Sequence, residues 1–285
     1  MDLDMRKLRY FVAVAEELHF GRAAQRLHIA QPVLSRQIRA LEKELRVQLF
    51  DRDHRSTALT AAGAQLLSDA PALLRATTAA QRRVLRAAGE HAHFTVAFMP
   101  GLTVTEPVRE LADRHPGLTV DLLRTTWDDQ VEVLLDGRAD VGFVRLPIDQ
   151  RGLVVRHWRS EPRFAMLPAD HAFAGKGSVR IGDLAGEHLL QHPDAVPEWR
   201  DVALELREGS RRPVPAMRSV EEKLEHVAAG HGFSVLPLST AQYYTRPDVV
   251  AVAIEDIGPN HVCLAWAAGN RSTLVTEFAG IVDCD

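Results

Sequence analysis

The chain has 285 residues, of which 46% are hydrophobic and 25% charged. That length and balance predict more than one globular domain and exclude global disorder. No apolar run approaches the roughly 18 residues of a membrane helix, the opening MDLDMRKLRYF lacks a signal peptide's apolar core, and Cys263 and Cys284 stand outside any disulfide-type or metal-type cluster, so a cytoplasmic protein without metal or cofactor is expected.

The net charge of −4 hides an asymmetry. Residues 1–89 hold 15 Lys and Arg against 9 Asp and Glu, whereas the remainder holds 19 against 29. A basic head on an acidic body is the layout of a polyanion-binding module fused to something else.

In residues 5–18, Leu8, Phe11, Val12, Ala15 and Leu18 recur at helical spacing. A short second helix fits residues 21–27. Pro32 suits the first turn of a third helix, where a missing N–H is harmless. On that helix Leu34, Ile38, Leu41 and Leu45 form a core stripe, leaving Gln31, Ser35, Arg36 and Arg39 elsewhere on its surface. Three helices with a short link between the last two make a helix-turn-helix, whose second helix presents its N-terminal residues to the major groove. Gln can pair with adenine and Arg with guanine, while Ser35 is small enough for close backbone approach. The stretch LFDRDHRSTALT then predicts a hairpin wing, with Arg52 and Arg55 passing the sugar-phosphate backbone.

The run LRYFVAVAEELHFGRAAQRLHIAQPVLSRQIRALEKELRVQLFDRD resembles the N-terminal domain of LysR-type transcriptional regulators. His19 and Ala30 stand where that family usually has Ser, and Arg46 replaces a frequent Gly. The resemblance implies that Gln31, Pro32, Ser35 and Arg36 approach bases and that Arg52 and Arg55 approach phosphates.

In residues 60–88, Leu66, Ala70, Leu73, Thr77, Ala80, Val84 and Ala87 alternate steps of four and three, a seam for pairing with a second copy. Dimerisation is therefore assigned to Leu66, Ala70, Leu73, Thr77 and Val84, with a kink expected at Pro71. The family resemblance supports a homodimer or homotetramer that places two reading heads on an interrupted palindrome.

From residue 93 the pattern alternates. Strands are predicted over 95–98, 119–123, 141–144, 163–167, 214–217, 233–236 and 262–266, and helices over 106–114, 129–135, 198–207, 220–229 and 274–282. Alternation implies a mostly parallel sheet covered on both faces. The layout resembles the family's effector domain, two α/β lobes of periplasmic-binding-protein type. The expected fold is thus α/β: a winged helix-turn-helix over 1–60, a linker dimerisation helix over 61–89 and an effector-binding domain over 90–285. Lobe I is placed at about 90–161 and 266–285, and lobe II at about 162–265.

Ligands of open α/β sheets settle beyond the carboxyl ends of strands. Candidate effector residues there are Pro100, Gly101 and Thr103 after the first strand, Thr125 and Thr126 after the second, Arg145 at the end of the third, and Pro193 on the opposite wall. An arginine, hydroxyls and a helix end suit a small anionic effector, such as an aromatic or unsaturated carboxylic acid.

Catalytic signatures are missing from the sequence. His91-x-His93 lacks a third ligand, Gly230-x-Gly232-x-Ser234 misplaces the serine of a nucleophile elbow, and there is no Walker loop. A ligand-responsive regulator with double-stranded DNA, a small effector and possible RNA polymerase contact is expected. A redox-responsive regulator using the two cysteines is the alternative, and an enzyme with a DNA-binding head the more distant one.

Overall fold

The computed structural model describes residues 3–53, 56–87 and 92–283. It divides into two compact units, Met1–Leu85 and Arg86–Asp285.

In the first unit α1 (Met5–Glu17), α2 (Phe20–Arg26) and α3 (Gln31–Leu45) enclose one core. Asp4 caps α1 by accepting from the Arg6 and Lys7 amides. His19 does the same for α2 through Nδ1, at 3.2 Å from the Arg22 amide, so the imidazole at this departure from the family pattern caps the helix. Ala30 provides no side-chain cap for α3. Leu34, Ile38 and Leu41 are fully buried, each contributing roughly 1.5–3 kcal/mol. Arg46 ends α3 in the left-handed region at φ 57°, which explains the family's glycine there. An L side chain costs about 1 kcal/mol in that conformation.

The wing is an antiparallel pair, β1 (Phe50–Asp53) and β2 (Ser56–Leu59), with Phe50 opposite Leu59. The Glu42 carboxylate ties it to α3 by accepting from the Leu49 and Phe50 amides at 3.0 and 3.3 Å. Helix α4 (Ala61–Ala87) follows and continues through Pro71.

The second unit contains two sheets. The first has the order β4-β3-β5-β11-β6, built from β3 (Ala92–Phe98), β4 (Leu118–Arg124), β5 (Val141–Arg145), β6 (Leu153–Glu161) and β11 (Asn260–Ala267). Strands β3, β4 and β5 are parallel, but β11 runs antiparallel to both β5 and β6. Four strands therefore run one way, as the alternation predicts, and the sheet is mixed through β11 alone, which returns from the other lobe in the opposite direction. Helices α5 (Thr105–Arg114) and α11 (Thr273–Val282) cover one face through Phe94, Phe143 and Phe278. Short α6 (Glu132–Leu135) covers the other face through Val133 and Leu134.

The second sheet has the order β8-β10-β7-β9, from β7 (Arg163–Pro168), β8 (Ser178–Val179), β9 (Ser234–Pro237) and β10 (Val249–Ile254). Around it lie α7 (Pro197–Arg200), α8 (Leu204–Arg207), α9 (Val220–Ala228), α10 (Leu238–Tyr243) and two 3-10 turns, Ile181–Leu184 and Pro193–Ala195. Two sequence expectations need correcting. Residues 214–217 form no strand and line a cleft instead. The return to lobe I comes between β10 and β11, not at residue 265, because Asn260–Ala267 pairs with β5 and β6.

Candidate DNA-reading face and effector cleft

Gln31, Pro32, Arg36 and Arg39 are exposed on α3, Ser35 is half-buried, and Leu34, Ile38 and Leu41 face inward. Arg36 and Arg39 make no ion pair with a described residue, so their donors are available to an external acceptor. Arg52 lies on β1, in line with the predicted wing, and Arg55 lies outside the described residues.

The predicted seam of α4 divides. Ala70 is fully buried and Leu66 packs against the same head core, so these two are used within the chain. The first turns of α4 must close the core left open beside the wing, which takes them out of any seam. Leu73 and Val84 remain exposed, at 42% and 68%, and Thr77 back-bonds to the Leu73 carbonyl at 2.9 Å. Among the described residues of α4, the exposed large apolar side chains lie in the later turns.

Between the two lobes lies a cleft of about 990 Å³. Pro100 and Thr126 line it, and Pro193 sits between the lining residues His192 and Asp194. Three other predicted residues do not reach it. Thr125 is buried, its hydroxyl donating to the Phe98 carbonyl at 3.2 Å. Gly101 and Thr103 line a separate, shallower hollow with Arg159 and Tyr243. Gly101 also abuts the second lobe: at φ 80°, a Cβ there would sit 2.5 Å from Thr240 Cα, so the close approach requires glycine. Thr240 in turn donates to the Pro100 carbonyl at 3.0 Å.

Arg145 is the main correction. It borders the cleft, but its side chain is only 4% exposed. Its Nη1 donates to Glu161 at 3.0 Å and to Asn260 at 2.8 Å, and its Nη2 donates to Ser239 at 2.7 Å and Thr240 at 3.3 Å. Glu161 ends β6 and Asn260 opens β11, so these are the places where the chain leaves and re-enters lobe I, while Ser239 and Thr240 belong to α10 of lobe II. With its fork occupied, Arg145 is a clasp across the hinge rather than an effector anchor. Burial would raise the Glu161 carboxyl, but the Arg145 guanidinium overcomes this and holds it below the usual carboxylate range.

Sequence reasoning missed the cations that remain available. Arg163 is paired with Glu198, and Arg124 lies 3.7 Å from Glu221. Arg218 and Lys223 line the cleft without an ion-pair partner among the described residues. Both flank the start of α9, where the Ser219 hydroxyl accepts from the Glu222 amide at 3.1 Å. The signal was present as Ser219-x-x-Glu222, a capping-box spacing that predicts a helix N-terminus with Arg218 just outside it. Burial pushes the Lys223 amine down to about 8, against a weaker opposing pull from Asp128. Trp127, 46% exposed, adds a flat apolar face to the same cleft.

Comparison with known proteins identifies this architecture. Residues 5–64 match the bacterial regulatory helix-turn-helix protein, lysR family, and residues 87–283 match the LysR substrate binding domain. The chain belongs to the LysR family of transcriptional regulators. It is 35% identical over 247 residues to the HTH-type transcriptional regulator ClcR of Pseudomonas putida, covering 84% of each chain. It is 30% identical over 293 residues to AlsR of Bacillus subtilis (strain 168), covering 99% of this chain and 96% of that one. Among solved structures it resembles CbnR, a LysR family transcriptional regulator, with a TM-score of 0.61 at 26% identity over 99% of both chains. CbnR in complex with its target DNA gives a TM-score of 0.53 at 28% identity, again over 99% of both chains.

This LysR-family protein is thus a DNA-binding transcriptional regulator with an effector-binding domain, in a family that is not enzymatic. No helix among the described residues is long and apolar enough to cross a membrane. Cys263 is buried and its thiol is pushed up by burial, which suppresses the thiolate a peroxide sensor needs, and Cys284 lies outside the described residues.

Proposed function

We propose that this regulator answers to a small carboxylic acid held between the lobes and that it acts on DNA as a homo-oligomer paired through the later turns of α4. Gln31, Pro32, Ser35 and Arg36 meet base edges, and Arg39, Arg52 and Arg55 neutralise phosphates. Leu73, Thr77 and Val84 supply the pairing face. The observation that carries the effector reading is Lys223 and Arg218, cations with no ion-pair partner among the described residues, on the second lobe's side of the cleft, with Trp127 on the first lobe's side. A carboxylate satisfies both cations, and an aromatic or unsaturated skeleton covers the indole. The acid shifts the population of lobe arrangements because it touches both walls at once, and so binds one arrangement better than the other.

Calorimetric titration with a panel of small carboxylic acids tests this. The tightest-binding acid should hold its affinity below pH 8, where the Lys223 amine is charged. Above that pH the affinity should fall by up to about tenfold per pH unit, because the ligand then has to recruit a proton. Lys223→Met should weaken binding at pH 7 and flatten the profile. A panel with no binder, or a binder indifferent to Lys223 and to pH, removes the reading.

A further inference from the structure

On the first sheet, beside the hinge, two imidazoles converge on one hydroxyl. His157 Nε2 lies 2.9 Å from Ser160 Oγ, and His261 Nδ1 lies 2.8 Å from the same oxygen. His157 and Ser160 belong to β6 and His261 to the neighbouring β11, where His261 stands directly opposite Ser160. A register shift between Val262 and Cys263 brings His157 level with Cys263, and the two rings come to rest 5.7 Å apart at 64°. All three side chains are solvent-exposed, so neither imidazole is committed to the core.

We propose that His157 and His261, with Ser160 beside them, form a binding site for a divalent transition-metal ion of the zinc, nickel or copper type. Neutral imidazole nitrogens are the preferred protein donors for these ions. Both rings already aim a nitrogen at a shared third point. An ion seated among the two nitrogens and the Ser160 oxygen would replace these two hydrogen bonds with metal–ligand bonds of about 2.0–2.1 Å, which asks for only small side-chain rotations. The strand pairing fixes the spacing of the two donors in advance, which removes most of the ordering entropy a flexible pair of histidines would lose.

The pair His226 and His231 is a different case. Their Nδ1 atoms lie 2.9 Å apart and hydrogen-bond to each other rather than to a common third atom.

Among the described residues no group of three His, Cys, Asp or Glu surrounds a common point. The ion therefore keeps open coordination positions for water or a further ligand, and binding is exchangeable rather than structural. Its location gives it a consequence. Ser160 immediately precedes Glu161 and His261 immediately follows Asn260, the two residues that clasp Arg145. An ion bridging β6 and β11 here braces the strands at the point where both crossovers meet lobe I.

Equilibrium dialysis of the untagged full chain against zinc chloride at pH 7.5 tests the site. The expected result is one saturable ion per chain, lost in His157→Ala and in His261→Ala and retained in the double variant His226→Ala with His231→Ala. Ser160→Ala should weaken binding by about tenfold, as for a group supporting the ligands. Copper electron paramagnetic resonance provides a readout independent of folding: two coupled imidazole nitrogens in the parent chain and no two-nitrogen signal in either single variant. No saturable binding, or saturable binding that survives both single substitutions, overturns the proposal, as does loss of the ion only with His226 and His231.

Discussion

Arg145→Met should destabilise the effector domain by about 3 kcal/mol, because it takes the buried guanidinium from a buried carboxylate and leaves only the half-exposed Arg159 as its counter-charge. Glu161 is 7% exposed and would keep only Arg159 and Ser239 as partners, while Asn260 and Thr240 each lose a donor. The pair is not equivalent to its net attraction. Removing both charges together, in Arg145→Met with Glu161→Leu, removes the desolvation cost as well, and should recover much of the loss. The four tryptophans, Trp127, Trp158, Trp199 and Trp266, all lie beyond residue 86, so their fluorescence during urea unfolding reports on the effector domain alone. The pH dependence has a definite sign. The folded-state value of Glu161 is held below its ordinary one, so its contribution is complete above the usual carboxylate range and is lost as pH falls through the lowered value. Equal stability of the parent and Arg145→Met would mean that the clasp is not holding the hinge.

Gly63→Ala sets two effects against each other. Gly63 lies in the first turn of α4, and helix propensity alone favours alanine there by about 1 kcal/mol. A Cβ at this position, however, would sit 2.1 Å from the Leu49 carbonyl oxygen and 3.0 Å from its carbon. That carbonyl is already fixed by the Thr60 amide at 3.0 Å, so the obstacle is backbone and cannot rotate away. The steric effect should win, with a net loss of about 1–3 kcal/mol in the head, in the range of overpacked cores. Gly280→Ala in α11 is the control, because a Cβ there meets nothing within 4 Å and the propensity gain should show. Hydrogen exchange of the α1–α3 amides distinguishes the two outcomes. Protection unchanged or increased in Gly63→Ala would mean that the linker helix can slide freely off the base of the wing.

These two residues mark where the sequence is legible and where it is not. The head is almost wholly readable, because its information is local: Leu34, Ile38 and Leu41 repeat at helical spacing, Pro32 marks a first turn, and the wing is a short hairpin. Even its departures have local causes, His19 serving as a cap and Arg46 taking the left-handed corner. In the body, strands such as Val141–Arg145 are evident because every residue is buried, whereas β6, with exposed Arg156 and His157 along it and a bulge opposite, gives no clean alternation. The cleft was the least readable part. Lys223 and Arg218 stand far along the chain from Trp127 and only folding brings them to the two sides of one cleft, and Arg145 looks like a ligand until its four partners from three distant segments are seen. Spacing along a chain cannot report that a donor is already taken.

Selection from a random duplex library by the full-length protein tests most directly the claim that α3 reads sequence. The bound pool should converge on an interrupted palindrome with half-sites about one helical turn, or a small multiple of it, apart. Arg36→Ala should lower affinity for that sequence by about 1–3 kcal/mol while leaving binding to random duplex nearly unchanged. A pool that stays random, or an Arg36→Ala protein that loses cognate and random DNA equally, would contradict sequence reading by this helix.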